Sequence, residues 1–296
     1  MANCEDRAEI LHVGWGHPPA TGGGPIFYLH HLCRRQQARG RKPACFVAGM
    51  TPPAPEKQPR LERTVMDGVP YDIVNDRPIH YYDWSQPERE IRHPGIEALF
   101  VETLKLRQPE IVHFHNLVGL SMSLVKTAKR FGAATLFSVH NYWMLCPRDD
   151  LFAPNEEPCP GPRDGSRCAA CVGQPHRVVG FMGRVACARE ALERHADHIL
   201  AVSSGVKAIL ARNGIPEDRI TVNHIGSTAA ENNWRRLGEA RKRDPRVAEP
   251  VRFAYFGAMA PRKGAHVLVE AAAQMEACAG RFRVELHGWN QPDPFM

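Results

Sequence analysis

Long apolar runs are missing from this sequence: no stretch approaches the ~18 apolar residues of a membrane-spanning helix. The first residues also lack the two parts of a secretory leader, a basic segment and then an apolar one. Instead Glu5, Asp6, Arg7 and Glu9 lead straight into Ile10, Leu11, His12 and Val13. A cytoplasmic protein, or one held peripherally at the inner face of a membrane, is expected. An excess of one charge is absent as well. The 38 Lys and Arg against 32 Asp and Glu leave a formal charge of +6, scattered along the chain. That is too mild for a nucleic-acid binder, so no nucleic-acid partner is expected. Internal repeats are also missing. With 43% hydrophobic, 24% charged and 8% aromatic residues, the composition is that of an ordered chain. Cysteine, by contrast, is plentiful. Nine of them in a chain without a leader argue for thiols or metal ligands, not for a disulfide scaffold.

The 296 residues suit about two domains at roughly 100 to 200 residues each. Short, nearly all-apolar runs recur between segments of helical period, the alternation of a parallel sheet with crossover helices. The fold class is therefore α/β. The clearest strands are Ile10 to Trp15, Ala44 to Ala48, Ile111 to His115, Thr135 to Val139, His198 to Val202 and Ile220 to His224. Between them, Ile96, Leu99, Phe100, Thr103 and Leu104 mark one helix face, and Leu120, Leu124, Ala128 and Phe131 another, capped by Gly132. Ser203 or Ser204 suits the N-cap of a helix through Val206, Ile209 and Leu210 that Gly214 and Pro216 end. Residues 1–226 form a first domain on this reading, 227–250 a polar and basic linker, and 251–296 the beginning of a second domain. In that last block Val251 to Phe256 and Phe282 to Leu286 read as strands around a helix bearing Val267, Leu268, Ala271, Ala272 and Met275. So short a β-α-β piece buries little core alone.

Four features carry chemistry. Pro18 to Pro25 places Gly22, Gly23 and Gly24 between the first strand and a helix through Phe27, Leu29 and Leu32. Consecutive glycines let backbone N–H groups approach an anion at a helix N-terminus; the plain alternative is a flexible turn. At two strand ends stand His113, Phe114, His115 and Asn116, and then His140, Asn141, Tyr142 and Trp143. Open α/β sheets bind ligands at such ends. His140 is the stronger candidate, and His113, opposite in face to Phe114, reads as structural. Cys146, Cys159, Cys168 and Cys171 follow a Cys-x12-Cys-x8-Cys-x2-Cys spacing in a loop rich in proline and glycine. That set suits tetrahedral zinc, with an iron–sulfur cluster, reduced thiols or disulfides as the alternatives. Cys4, Cys33, Cys45, Cys187 and Cys278 read as isolated small apolar residues. Finally, Arg262 and Lys263 in the loop Gly257 to Gly264 are placed to hold a pyrophosphate, or else are a solvated pair. Arg34, Arg35, Arg39, Arg41 and Lys42 read as a solvated helix end, with an anionic membrane surface as the other reading.

Taken in order, these segments resemble the family 4 glycosyltransferases. Pro18 to Gly24 is similar to that family's glycine-rich loop, and Pro109 to His115 to its Pro-acidic-aliphatic-Val-His-x-His strand. Ser138 to Trp143 with Leu145 to Arg148 resembles the His-Asp/Asn-Tyr-Trp-x-Leu-Cys-Pro-Arg segment of one subgroup, whose cysteine loop, Cys159 to Cys171, follows here as well. Ala201 to Ser203 resembles an Ala-Val-Ser strand end, and Pro261 to Gly264 the Pro-x-Lys-Gly donor loop; Ala258 departs from the arginine many members carry.

The resemblance implies the GT-B fold, two Rossmann-like domains, with a parallel sheet in the first and an incomplete second one here. It implies a retaining enzyme that moves a sugar from a nucleotide-sugar donor to a glycan or lipid-linked acceptor. Gly23 and Gly24, with Arg262 and Lys263, would meet the donor's phosphates, and His140 would sit beside the reacting sugar. His115, Asn116, Asn141 and Tyr142 would face the acceptor. No side-chain nucleophile and no catalytic metal are implied, which makes any zinc at the cysteines structural. The family's Glu-x7-Glu segment is expected beyond Met296, so the chain alone is expected to be impaired. It would otherwise serve as a glycan-binding module, or as half of a split enzyme with a partner chain supplying the rest of the donor domain.

Overall fold

The computed structural model describes residues 6–49, 58–75, 84–155, 157–226, 228–238, 250–278 and 280–288, with backbone alone at 228, 229, 238, 262 and 276. Cys4 and the arginines and lysine of the predicted linker beyond residue 238 lie outside the described residues. The chain divides into two compact units, Met1–Glu231 and Asn232–Met296.

Within the first unit the elements follow as β1 (Ile10–Trp15), α1 (Gly24–Gln37), β2 (Pro43–Ala48), β3 (Arg60–Met66), β4 (Val69–Asn75), α2 (Pro87–Ile91), α3 (Pro94–Arg107) and β5 (Ile111–Phe114). They continue with α4 (Ser123–Phe131), β6 (Ala134–Val139), α5 (Ser166–Cys171), α6 (Val178–Glu190), β7 (His198–Ala201), α7 (Ser204–Arg212) and β8 (Ile220–Val222). The strands form one sheet in the order β3-β4-β2-β1-β5-β6-β7-β8. Every pairing is parallel except the β3–β4 hairpin at one edge. The six strands expected from the apolar runs are all here. Helix ends obey their local signals. Gln108 adopts a left-handed φ of 45° before Pro109, Gly132 caps α4 at φ 96°, and the Ser203 hydroxyl accepts the Val206 N–H at the start of α7.

Near-continuous apolar strands are the signature of a sheet covered on both faces, and β2 shows how. Ala44, Phe46 and Ala48 join a buried cluster with Phe100 of α3, Phe114 and Phe137, whereas Cys45 and Val47 join one with Leu29 and Cys33 of α1. Cys33 and Cys45, expected to be isolated, bring their sulfurs to 3.5 Å in that second core. Alternation along a strand put them on the same side as α1, which the spacing of either cysteine alone does not show. Arg107, the last residue of α3, makes a bidentate pair with the fully buried Asp72 of β4, at 3.0 and 2.8 Å.

The predicted linker begins as a helix, α8 (Thr228–Gly238). Ala, Glu, Arg and Leu favour that state even without an apolar stripe to bury, and Trp234 is 80% exposed. In the second unit β9 (Val251–Phe256), α9 (Ala265–Ala273) and β10 (Phe282–His287) form a β-α-β piece whose two strands pair in parallel.

Candidate functional site

Strand order in the first sheet reverses at β1, which has β2 on one side and β5 on the other. Loops leaving the carboxyl ends of two such strands diverge and open a crevice, the usual ligand site of open α/β sheets. The glycine loop after β1, His115 and Asn116 after β5, and His140 and Asn141 after β6 all lie along this edge.

Gly22, Gly23 and Gly24 are exposed. Gly23, the N-cap of α1, has φ 145° and ψ 155°, a conformation that residues with a Cβ avoid. No side chain caps the helix and its first turn holds no acidic residue. Its opening N–H groups and the positive end of its dipole therefore face outward, as an anion would require.

Behind the loop runs a chain of imidazoles. His12 Nε2 lies 2.8 Å from Gln36 Oε1 on α1, His12 Nδ1 lies 3.0 Å from His115 Nε2, and His115 Nδ1 lies 3.1 Å from His140 Nε2. An amide oxygen only accepts, so His12 carries its proton on Nε2 and its Nδ1 accepts from the His115 Nε2–H. By the same alternation His115 Nδ1 accepts from the His140 Nε2–H. The lone pair then falls on His140 Nδ1, a buried atom with no partner. Burial keeps these rings neutral: His12 and His140 are pushed down to about 4. His113 and His115 fall well below the usual histidine range, through burial first and the neighbouring rings second. The Tyr28 ring of α1 meets His140 edge-on at 5.1 Å, and Asn223, after β8, reaches the Tyr28 hydroxyl at 3.4 Å.

Ligand nitrogens of His12, His113 and His115 lie within 4.8 Å of one another, a spacing compatible with a metal ion. Their hydrogen bonds describe a different arrangement. Both nitrogens of His12 and of His115 are engaged, and His113 Nε2 is 2.8 Å from Ser138 Oγ. An ion there would have to break the chain that orients His140.

The predicted site residues separate into layers. His140 presents the unpartnered atom, while His115 and Asn116 are buried behind it, Asn116 accepting the Val118 N–H at 2.9 Å. Asn141 accepts the Trp143 N–H at 3.2 Å, so it shapes the turn that follows His140. Tyr142 is half-buried, and burial raises its phenol pKa. In the second unit Lys263 is exposed in the turn Pro261–Lys263 that precedes α9. The Arg262 side chain lies outside the described residues. Cys146, Cys159, Cys168 and Cys171 line one cavity of about 90 Å³. Of the basic cluster, Arg34 pairs with Asp67 at 3.0 Å and Arg35 with Glu231 at 2.6 Å.

Sequence reading missed His12, Gln36 and Tyr28. His12 stands level with His113 in the β1–β5 register, a pairing that neither strand reveals alone.

An anion-ready helix start and a neutral hydrogen-bonding imidazole thus stand at the switch point of an α/β sheet, the place where open sheets of this kind bind their ligands. The family model described as Glycosyltransferase Family 4 matches residues 22–226, and the chain belongs to that family. Among curated protein sequences none matches. Among solved structures, HepE of Anabaena in complex with UDP is 13% identical with a TM-score of 0.51, the match covering 96% of this chain and 61% of that one. Sucrose-phosphate synthase of Thermosynechococcus elongatus is 15% identical with a TM-score of 0.56, over 97% of this chain and 63% of that one. A trehalose-6-phosphate structure from E. coli, bound with UDP-2-fluoro glucose, is 10% identical with a TM-score of 0.53, over 95% and 65%. At such identities the likeness establishes the fold, α/β of GT-B type. The chain spans about three fifths of the length of the first two structures it matches. Among the described residues no helix is long and apolar enough to cross a membrane.

Proposed function

We propose that this chain acts in the transfer of a sugar from a nucleotide-sugar donor to a glycan or lipid-linked acceptor, with retention of configuration. The observation that carries this reading is the buried, unpartnered Nδ1 of His140 at the carboxyl edge of the sheet. A neutral imidazole lone pair accepts a hydrogen bond from a sugar hydroxyl without bringing charge to the reacting centre. Each role follows from the residue type. The N–H groups at Gly23 and Gly24 hold donor phosphate oxygens, and Arg262 and Lys263 stabilise the charge that grows on the departing nucleoside diphosphate. Asn141 and Tyr142 border the acceptor, while His115 and Asn116 hold His140 and its strand end in place. No side-chain nucleophile is assigned, which fits a front-face displacement in which the leaving phosphate itself takes the acceptor's proton. A lipid-linked acceptor would bring the exposed Arg39 and Lys42 towards an anionic membrane surface.

Because two of the similar structures hold uridine nucleotides, UDP-sugars are the first donors to test, by calorimetric binding and by nucleoside diphosphate release. His140→Ala removes one hydrogen bond and is expected to weaken sugar-nucleotide binding up to about tenfold, while leaving UDP binding unchanged. A folded chain that binds none of a panel of nucleotide sugars would sink the reading.

A further inference from the structure

The four cysteines come from three separate pieces of chain. Cys146 follows the turn after β6, Cys159 ends the short ribbon closed by the Phe152–Pro158 bridge, and Cys168 and Cys171 lie one turn apart on α5. All four are free thiols, and all four line the same cavity of about 90 Å³. Two buried clusters meet at this segment: Cys146 and Leu151 belong to the main core, against which Cys159 packs, and Cys168 belongs to a second one with Ala169, Val172 and Phe181.

Two details separate this arrangement from spare thiols. The backbone N–H groups of Arg148 and Leu151 are directed at the Cys146 sulfur. A neutral thiol is a weak acceptor, whereas a metal-bound thiolate is a strong one, so such N–H groups suit a sulfur that ligates a metal. Charged groups of both signs stand near the thiols: Arg184, itself paired with Glu90, acts on Cys146 and Cys168, Arg148 on Cys171, and the Asp150 carboxylate on Cys146 and Cys171. Both arginines are buried. Four thiolates around a divalent ion carry two net negative charges, and such a buried charge needs nearby cations.

We propose that Cys146, Cys159, Cys168 and Cys171 bind one zinc ion, and that this ion fixes the segment running from His140 to Cys146. Soft thiolates in a set of four favour tetrahedral zinc over magnesium or calcium. No three of the four sulfurs lie within 4.8 Å of one another as the imidazoles do. Binding therefore draws them together across the cavity, the coupling of metal to local folding usual in such sites. The thiols release their protons to solvent as the metal–sulfur bonds form. The Asp149 carbonyl accepts the Tyr142 N–H at 2.8 Å, so a fixed Cys146 turn also fixes the backbone beside the sugar site.

Metal analysis of the whole chain, purified in reductant without chelator, is expected to find one zinc per chain. A mercurial that blocks thiols should release it, and cobalt put in its place should give thiolate charge-transfer bands with tetrahedral d–d bands. Cys159→Ser and Cys168→Ser should lose the metal, and Cys187→Ser, away from the cavity, should keep it. Folded wild-type protein with no metal and four thiols open to a disulfide reagent overturns the proposal. So does iron in place of zinc, or a disulfide among the four. The wild-type stoichiometry decides the matter even if a variant fails to fold, and no readout depends on sugar transfer.

Discussion

Three histidines and a glutamine turn one buried nitrogen into a defined acceptor. The direction of the chain from Gln36 through His12 and His115 to His140 is set at its far end, by whether residue 36 accepts or donates. Gln36→Glu, which only accepts, should leave His140 Nδ1 unprotonated. Gln36→Lys, which only donates, should reverse every bond and place the proton there. Long-range nitrogen–proton correlation spectra distinguish the two tautomers; identical His140 spectra in both variants would refute the alternation. The same rings make stability depend on pH. His12 and His140 titrate near 4 when folded, against about 6.5 when unfolded. Between those values the unfolded chain binds more protons than the folded one, so stability rises with pH through that window and levels off above it. Acidification from pH 7 to pH 5 should therefore lower the urea midpoint, and His113→Gln should flatten the slope. A midpoint constant across that range would count against the buried neutral cluster.

At the scale of elements, what could be read locally followed its chemistry, and what depended on a neighbour did not. The apolar strands and the caps at Gly132 and Ser203 are fixed within a few residues of sequence, and they stand where their patterns put them. The β3–β4 hairpin escaped because β3 is an exposed edge strand with no apolar alternation. A signal was present nonetheless. Asp67 and Gly68 both take positive φ, 49° and 78°, the two-residue turn that an Asp-Gly pair favours. The His12–His115 contact was illegible for another reason, since it exists only once β1 and β5 lie side by side. Helix α3 is held to that hairpin by the Arg107–Asp72 pair. Arg107→Met leaves the fully buried Asp72 carboxylate with Arg63 alone, at 3.5 Å, and is expected to cost up to about 3–5 kcal/mol. The double variant with Asp72→Ala should recover part of that loss; urea denaturation that finds the single variant within 1 kcal/mol of wild type, a bound at the low end of typical mutational effects, would show the pair to be dispensable.

For the molecule as a whole, the two units differ in how much of each strand is hidden. In the first, β2 is buried along its full length between two apolar clusters. In the second, β9 pairs with β10 alone among the described strands, and Phe253 and Phe256 are 46% and 76% exposed. Two strands and a helix with that exposure bury too little apolar surface to resist local opening. The glycine loop of α1 and the carboxyl edge that bears His140 thus stand on a rigid frame, whereas Lys263 stands on a softer one. Amide hydrogen exchange should show it: the amides of β1, β2 and β5 should exchange only on global unfolding, and those of β9 and β10 orders of magnitude sooner. On the proposed function, a nucleoside diphosphate held by Lys263 and the loop around it would add contacts that the free unit lacks, so saturating UDP should slow exchange in β9 and in the start of α9. Protection gained in the first unit alone, with β9 and α9 unchanged, would place the diphosphate on the glycine loop and leave Lys263 without a role in holding it.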